Sequence, residues 1–358
     1  MAVSLIWVAA TFRTDGLISS FVSASRFVLI AYAAIMLPLA LDRHRLRRVV
    51  IAAAIAGLVG GVYALYALYH ETVSVSTAAG PARVGVTRPG GPFGNYFADG
   101  SADHWWVQSA ASTNLGFWLG VSLAVVAAIA VRSWRRRQRL LFAGACLSAA
   151  AGAFALAATA SREAWVGGLL VLALVAALFG RNHSYRGWSL VGLAVTGACA
   201  AILVFVPSVR TRLADTVTPG TFSFRTGPQA RVHAWAAGLR IGAERFPIGW
   251  GIGGVEEHAD RFGRATAENM FIQVWMQTSI LGVVVFVGWF VLAAIAALRG
   301  LRAGSHELLA VFPAVVLLLL FAHGMFGYAI GDPTIQVLIA IALACIAVNS
   351  PIVERARL

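Results

Sequence analysis

Residues 115–139 read LGFWLGVSLAVVAAIAVRSWRRRQR, an apolar run that closes on a cluster of arginines. About 20 apolar residues match a hydrocarbon core of roughly 30 Å. In that solvent a segment must satisfy its own backbone hydrogen bonds, which makes a lone apolar span a helix. The arginines behind it mark the cytoplasmic end, because short cytoplasmic loops collect positive charge. Similar runs recur at roughly 21–41, 49–69, 105–131, 140–160, 163–180, 188–206, 269–298, 307–328 and 334–350. The stub 1–12 would make a tenth. It is short for a span and lacks the basic start of a signal peptide, and it reads as the remnant of a helix that begins upstream. The sequence thus predicts an all-α polytopic integral membrane protein of about nine to ten transmembrane helices.

Composition excludes a water-soluble globular domain. Hydrophobic residues make up 59% of the 358 and charged residues 12%, against roughly 25% charged in soluble domains. The net charge of +13 comes wholly from arginine, since the chain has no lysine. A GC-rich coding sequence and a need to grip phosphate both account for that choice. Many of these arginines stand in short loops between apolar runs, so the high charge reads as topology and not as a nucleic-acid surface. Cys146, Cys199 and Cys345 lie inside apolar runs and show no metal or disulfide spacing.

Arginine placement sets the orientation. Arg43 to Arg48, Arg132 to Arg139, Arg181 with Arg186, Arg299 with Arg302, and Arg355 with Arg357 all fall on alternate connections. Those connections are then cytoplasmic. The others, at about 70–104, 160–163, 207–268 and 329–333, are extracytoplasmic. The expected organisation is an N-terminal transmembrane bundle over 1–206, an extracytoplasmic loop over 207–268 and C-terminal transmembrane helices over 269–358, in one integrated membrane domain. The long loop predicts short helices of its own, with an amphipathic one at about Gln229 to Arg245. There Val232, Trp235, Ala236 and Leu239 recur at helical spacing, which suits an ordered loop lying at the membrane surface.

The long loop carries eight arginines: Arg210, Arg212, Arg225, Arg231, Arg240, Arg245, Arg261 and Arg264. Pairing with Asp215, Glu244, Glu256, Glu257, Asp260, Glu268 and lipid headgroups accounts for such charge. One or two of them binding a diphosphate accounts for it as well, because a planar guanidinium grips phosphate oxygens bidentately. Arg162 follows Thr159-Ala160-Ser161 at the outer turn between two spans. A charged residue there is costly and marks function by default. A snorkelling arginine or an Arg162–Glu163 surface pair is the other reading.

These stretches, taken in order, resemble the O-antigen ligase and polymerase family. Ala160-Ser161-Arg162-Glu163-Ala164-Trp165 is similar to its Ser-Arg-Gly-Ala-Trp turn. Arg231-Val-His-Ala-Trp, followed by Phe246-Pro-Ile-Gly-Trp-Gly-Ile-Gly-Gly254, is similar to its Arg-x-x-x-Trp helix with Pro-hydrophobic-Gly-x-Gly. Arg88 to Asn95 resembles Gly-Pro-Phe-Gly-Asn. Glu268-Asn269 with Gln273, Thr278 and Gly282 resembles its His-Asn entry into a helix ending in Gly-hydrophobic-hydrophobic-Gly.

The resemblance implies a metal-independent, cofactor-free glycan transferase in the cytoplasmic (inner) membrane, with its active site on the extracytoplasmic face. Its donor is a polyprenyl-diphosphate-linked glycan and its acceptor a glycan, lipid or protein, among membrane lipids. Arg162 and Arg231 take the places of the family's diphosphate-binding arginines. Glu268 stands where ligases usually have histidine, and it reads either as the base that takes the acceptor proton or, together with Asn269, as a helix cap. Arg88, Asn95, Asn269 and His258 complete the expected substrate-binding set, with His258 and His233 as fallback bases. Asn95 also reads as a turn residue, and His258 as a solvated loop residue. Ser279 replaces the first glycine of the family's pair. The rival class, a flippase or transporter of the lipid-linked glycan, would call for internal repeats and charged groups at mid-span, and the sequence shows neither.

Overall fold

A computed structural model describes residues 30–70, 72–77, 80–88, 96–97, 105–159, 161–180, 228–251, 267–302, 308–327 and 332–349. Among them are nine helices: α1 (Ile30–Ala40), α2 (Arg43–His70), α3 (Trp105–Arg135), α4 (Arg139–Ala158), α5 (Arg162–Gly180), α6 (Pro228–Glu244), α7 (Met270–Arg302), α8 (Leu308–Gly324) and α9 (Pro333–Val348). In α2, α3, α4 and α7 an apolar run is long enough to cross a membrane, and α1, α5, α8 and α9 hold shorter apolar helices. The body is that of a polytopic helical membrane protein. The span expected at 188–206, the stub 1–12 and most of the long loop lie outside the described residues.

The connection between α2 and α3 holds more than turns. Thr72–Thr77 (β1) pairs antiparallel with Gly80–Arg88 (β2), Val75 facing Ala82, and Tyr96–Phe97 (β3) adds to β2 across an irregular register. Alternating Val with Ser and Thr suits a strand, a signal that the apolar runs on either side overshadow.

The described contacts form two compact units. One draws on Arg47–Thr218 and His306–Leu319, the other on Met1–Leu46, Pro219–Ser305 and Leu320–Leu358. In the first, α3 is the buried axis, with α4 and α5 against it. Leu115, Leu119 and Leu123 on α3 meet Ala155 and Leu156 on α4, Ala64 on α2 and Ala164 on α5. Lipid is as apolar as leucine, so such helices hold together by close approach, which small residues permit. A Cβ on Gly116 would stand 2.2 Å from that of Ala164, so α3 and α5 meet at near backbone contact. Asp42 caps α2 through Arg45 N–H (2.7 Å), and this bond holds its exposed carboxyl below the usual carboxylate range.

In the second unit α6 and α9 lie against α7. Asp332 caps α9 through the N–H groups of Thr334 and Ile335, ahead of a proline in the first turn. The 33-residue α7 is two helices joined at Ser279, where the backbone leaves helical geometry. Beyond the break, Ile280 to Arg302 measures about 35 Å at 1.5 Å per residue. That part alone spans a hydrocarbon core. Leu281, Val284, Val285 and Leu292 stand exposed along it, as lipid-facing residues do.

Candidate functional site

The entry to α7 is tied down residue by residue. Ala267 N–H donates to Gln273 Oε1 (3.2 Å). Asn269 is the N-cap: its Oδ1 accepts from Phe271 N–H (3.0 Å) and Ile272 N–H (3.1 Å). Its Nδ2 donates to Met325 O (3.1 Å) in the turn after α8. Of the Glu268-Asn269 pair read as a cap, Asn269 is the residue that receives the helix N–H groups. Glu268 sits one residue earlier, with a left-handed φ of 50°. Trp235 Nε1 donates to its carbonyl (3.4 Å) and Arg231 Nε to its Oε2 (3.1 Å).

Arg231 and Trp235 are one helical turn apart on α6, so they present one face. The Arg231 guanidinium stands against Glu268 and over the Phe326 ring, 5.6 Å from its centroid. Both charged side chains keep about a quarter of their surface open, 30% and 23%. A pair so placed contributes roughly 0–1 kcal/mol. A left-handed non-glycine backbone costs about 1–3 kcal/mol. Stability does not explain the arrangement, since the strain at least matches what the ion pair returns. Such strain collects at sites where geometry serves chemistry.

The Pro-Ile-Gly-Trp-Gly turn completes the support. The break at Ser279 interrupts the hydrogen-bond ladder of α7. Trp250 N–H donates to Met276 O (2.9 Å) and Gly251 N–H to Gln277 O (2.8 Å) at that break. Trp250 Nε1 reaches back to Ile241 O (2.8 Å), and Arg245 lies 4.6 Å over the Trp250 ring. Gly249 has a φ of 82°, and a Cβ there would stand 2.8 Å from Gln277 C and O and from Ser279 N. Two stretches that resemble separate family motifs thus form one structural device.

In the other unit the α4–α5 turn gathers buried polar groups. Thr113 Oγ1 on α3 donates to Glu163 Oε2 (3.4 Å) and lies 3.2 Å from Ser161 Oγ. Ser161 Oγ accepts from Ala164 N–H (3.4 Å) in the first turn of α5, and Thr159 Oγ1 accepts from Ser161 N–H (3.3 Å). Glu163 is buried. Arg162 is the first residue of α5. Its side chain and that of Arg88 (the last residue of β2), with Asn95 and His258 entire, lie outside the described residues. His233 is exposed on α6.

The structure therefore brings Arg231, Glu268 and Asn269 together. Trp235, Gln273 and Phe326 support them, although none of the three was among the expected substrate-binding residues. The Arg-x-x-x-Trp spacing carried the signal for Trp235, whereas Phe326 lies too far along the chain for any local pattern to show it. Among the described residues no three His, Cys, Asp or Glu side chains cluster as metal ligands would.

These features define a class, a helical membrane protein that fixes an arginine–carboxylate pair at the head of one span. A family model described as O-antigen ligase matches residues 147–290, from within α4 to within α7. Arg162, Arg231, Glu268 and Asn269 all fall inside the matched stretch. No curated protein and no solved structure matches the chain.

Proposed function

We propose that this protein transfers a glycan from a polyprenyl-diphosphate donor to an acceptor at the extracytoplasmic face of the cytoplasmic membrane. The family match supports ligation or polymerisation of a surface polysaccharide. The observation that carries the chemistry is the Arg231–Glu268 pair, 3.1 Å apart and partly open at the head of α7.

In this reading an acceptor hydroxyl or amide attacks the anomeric carbon as the bond from that carbon to the diphosphate oxygen breaks. Negative charge grows on the leaving diphosphate, which Arg231 and Arg162 receive. Glu268 takes the acceptor proton. Asn269 fixes Glu268 through the cap, while Arg88, Asn95 and His258 contact donor or acceptor. Guanidinium groups already oriented in a poorly solvated site stabilise developing charge without reorganising, and one such donor is worth about 3 kcal/mol.

The test uses purified enzyme in lipid with a lipid-linked donor and its acceptor. Arg231→Lys and Arg162→Lys should each lower turnover by about 10²–10³ while membrane insertion is unchanged, because a lysine point charge cannot reproduce a planar two-point grip. Full turnover in both variants removes the mechanism.

A further inference from the structure

Helix α6 has three faces where an ordinary amphipathic helix has two. Ala234, Gly238, Ile241 and Gly242 are buried, and a Cβ on Gly238 or Gly242 would run into Ile272, Met276 or Trp275 of α7. His233, Arg240 and Glu244 form an exposed polar stripe. Between these two lies a third stripe, Val232, Ala236, Leu239 and Ala243, at the i, i+4, i+7, i+11 spacing of one helical face. It is apolar and exposed, with Val232 and Leu239 59% and 53% open. Trp235 is not part of it, since its indole turns toward Glu268.

We infer that α6 is an interfacial helix whose Val232-Ala236-Leu239-Ala243 stripe is covered by the acyl chains of the outer lipid leaflet. Its depth follows from α7. Counted from Arg299 and Arg302, the residues after Ser279 already fill a hydrocarbon core of roughly 30 Å, so the break lies at the polar boundary. Helix α6 lies against the part of α7 before that break, and its following turn meets α7 at the break itself. Phe246, Ile248, Ile280 and Leu281, in the following turn and just past the break, are exposed apolar residues as well. Arg240 and Arg245 stand where lipid phosphates would meet them. The seat of α6 thus sets Arg231 and Glu268 at headgroup depth, where a membrane-anchored diphosphate travels. The lipid contact does not depend on the transfer reading.

Nitroxide spin labels test it in the full chain, with Cys146, Cys199 and Cys345 replaced by alanine and the protein reconstituted in phosphatidylethanolamine–phosphatidylglycerol nanodiscs. Labels at Val232→Cys and Leu239→Cys should be open to oxygen and shielded from a water-soluble nickel chelate. Labels at His233→Cys and Arg240→Cys should show the reverse. Equal nickel access on both stripes means that water covers the face, and shielding from both reagents means that protein covers it. Either result overturns the inference. Labelled variants are admitted only when they elute as the parent does, so a misfolded one does not enter the comparison. Because the readout is accessibility, it can fail while Arg231→Lys still lowers turnover as expected, and the converse also holds.

Discussion

Ser279 holds φ 53° and ψ −158°, a backbone region that belongs almost wholly to glycine. Its hydroxyl is buried and has no hydrogen-bond partner among the described residues. Strain of that kind costs about 1–3 kcal/mol, and a buried unmade hydrogen bond a similar amount. Glycine gives back roughly 1 kcal/mol of that as extra chain entropy. Ser279→Gly should therefore stabilise the protein by about 1–5 kcal/mol, read as a raised melting temperature in detergent. An unchanged or lowered melting temperature would mean that the hydroxyl holds something in place. At Glu268 the alternatives are equally separable. Glu268→Gln keeps an acceptor for Arg231 but cannot take a proton, and turnover should fall by about 10²–10⁴. Glu268→His supplies the family's usual base at the same place and should recover part of that loss. Gln and His variants of equal activity would assign Glu268 to the ion pair alone.

Between α6 and α7 the decisive contact is a backbone turn laid on a broken helix. Gly249 makes it possible, since any Cβ there meets the backbone of Gln277 and Ser279 at 2.8 Å. Gly249→Ala should cost about 2–4 kcal/mol, from a left-handed residue of about 1–2 kcal/mol and displaced hydrogen bonds of about 1 kcal/mol each. Amide hydrogen exchange at Trp250 and Gly251 should speed up, because their bonds to Met276 O and Gln277 O go with the turn. Gly288→Ala, in α7 with nothing within 4 Å of its added Cβ, should be neutral or stabilising by up to about 1 kcal/mol. Equal melting of the two variants would show that the turn is not what braces the break. The elements differ in how far sequence exposed them. The spans were legible because hydrophobic length in lipid leaves few alternatives, and Pro228–Glu244 fell within a residue of its expected bounds. The division of α6 into three faces was not legible, since Val232, Trp235 and Leu239 look alike until α7 claims one of them. The β1–β2 hairpin was hidden for a different reason, being short and polar beside strong apolar signals.

At the scale of the whole molecule, the mechanism needs Arg162 and Arg231 on one side of the membrane, and each unit gives its own answer. In one, the arginine-rich turn from Arg135 to Arg139 joins α3 to α4 at the end away from Ser161 and Glu163. In the other, Arg299 and Arg302 end α7, and Glu268 precedes its start. Because short arginine-rich ends tend to stay in the cytoplasm, we propose that both site ends face outward. Sequence carries that expectation, because alternation of charge along the chain is a one-dimensional signal. It could not show which side chains meet, because Arg231, Glu268 and Phe326 are joined only through folding. Thiol labelling in intact cells checks the topology directly, in a background with the native cysteines replaced by alanine. Tyr69→Cys at the end of α2 and His233→Cys on α6 should react with a membrane-impermeant maleimide. Gln138→Cys and Arg302→Cys should react only after the membrane is opened. Positions 69 and 233 reporting opposite sides would place the two arginines in different leaflets. No diphosphate could then bridge them, whatever the activity of the single variants.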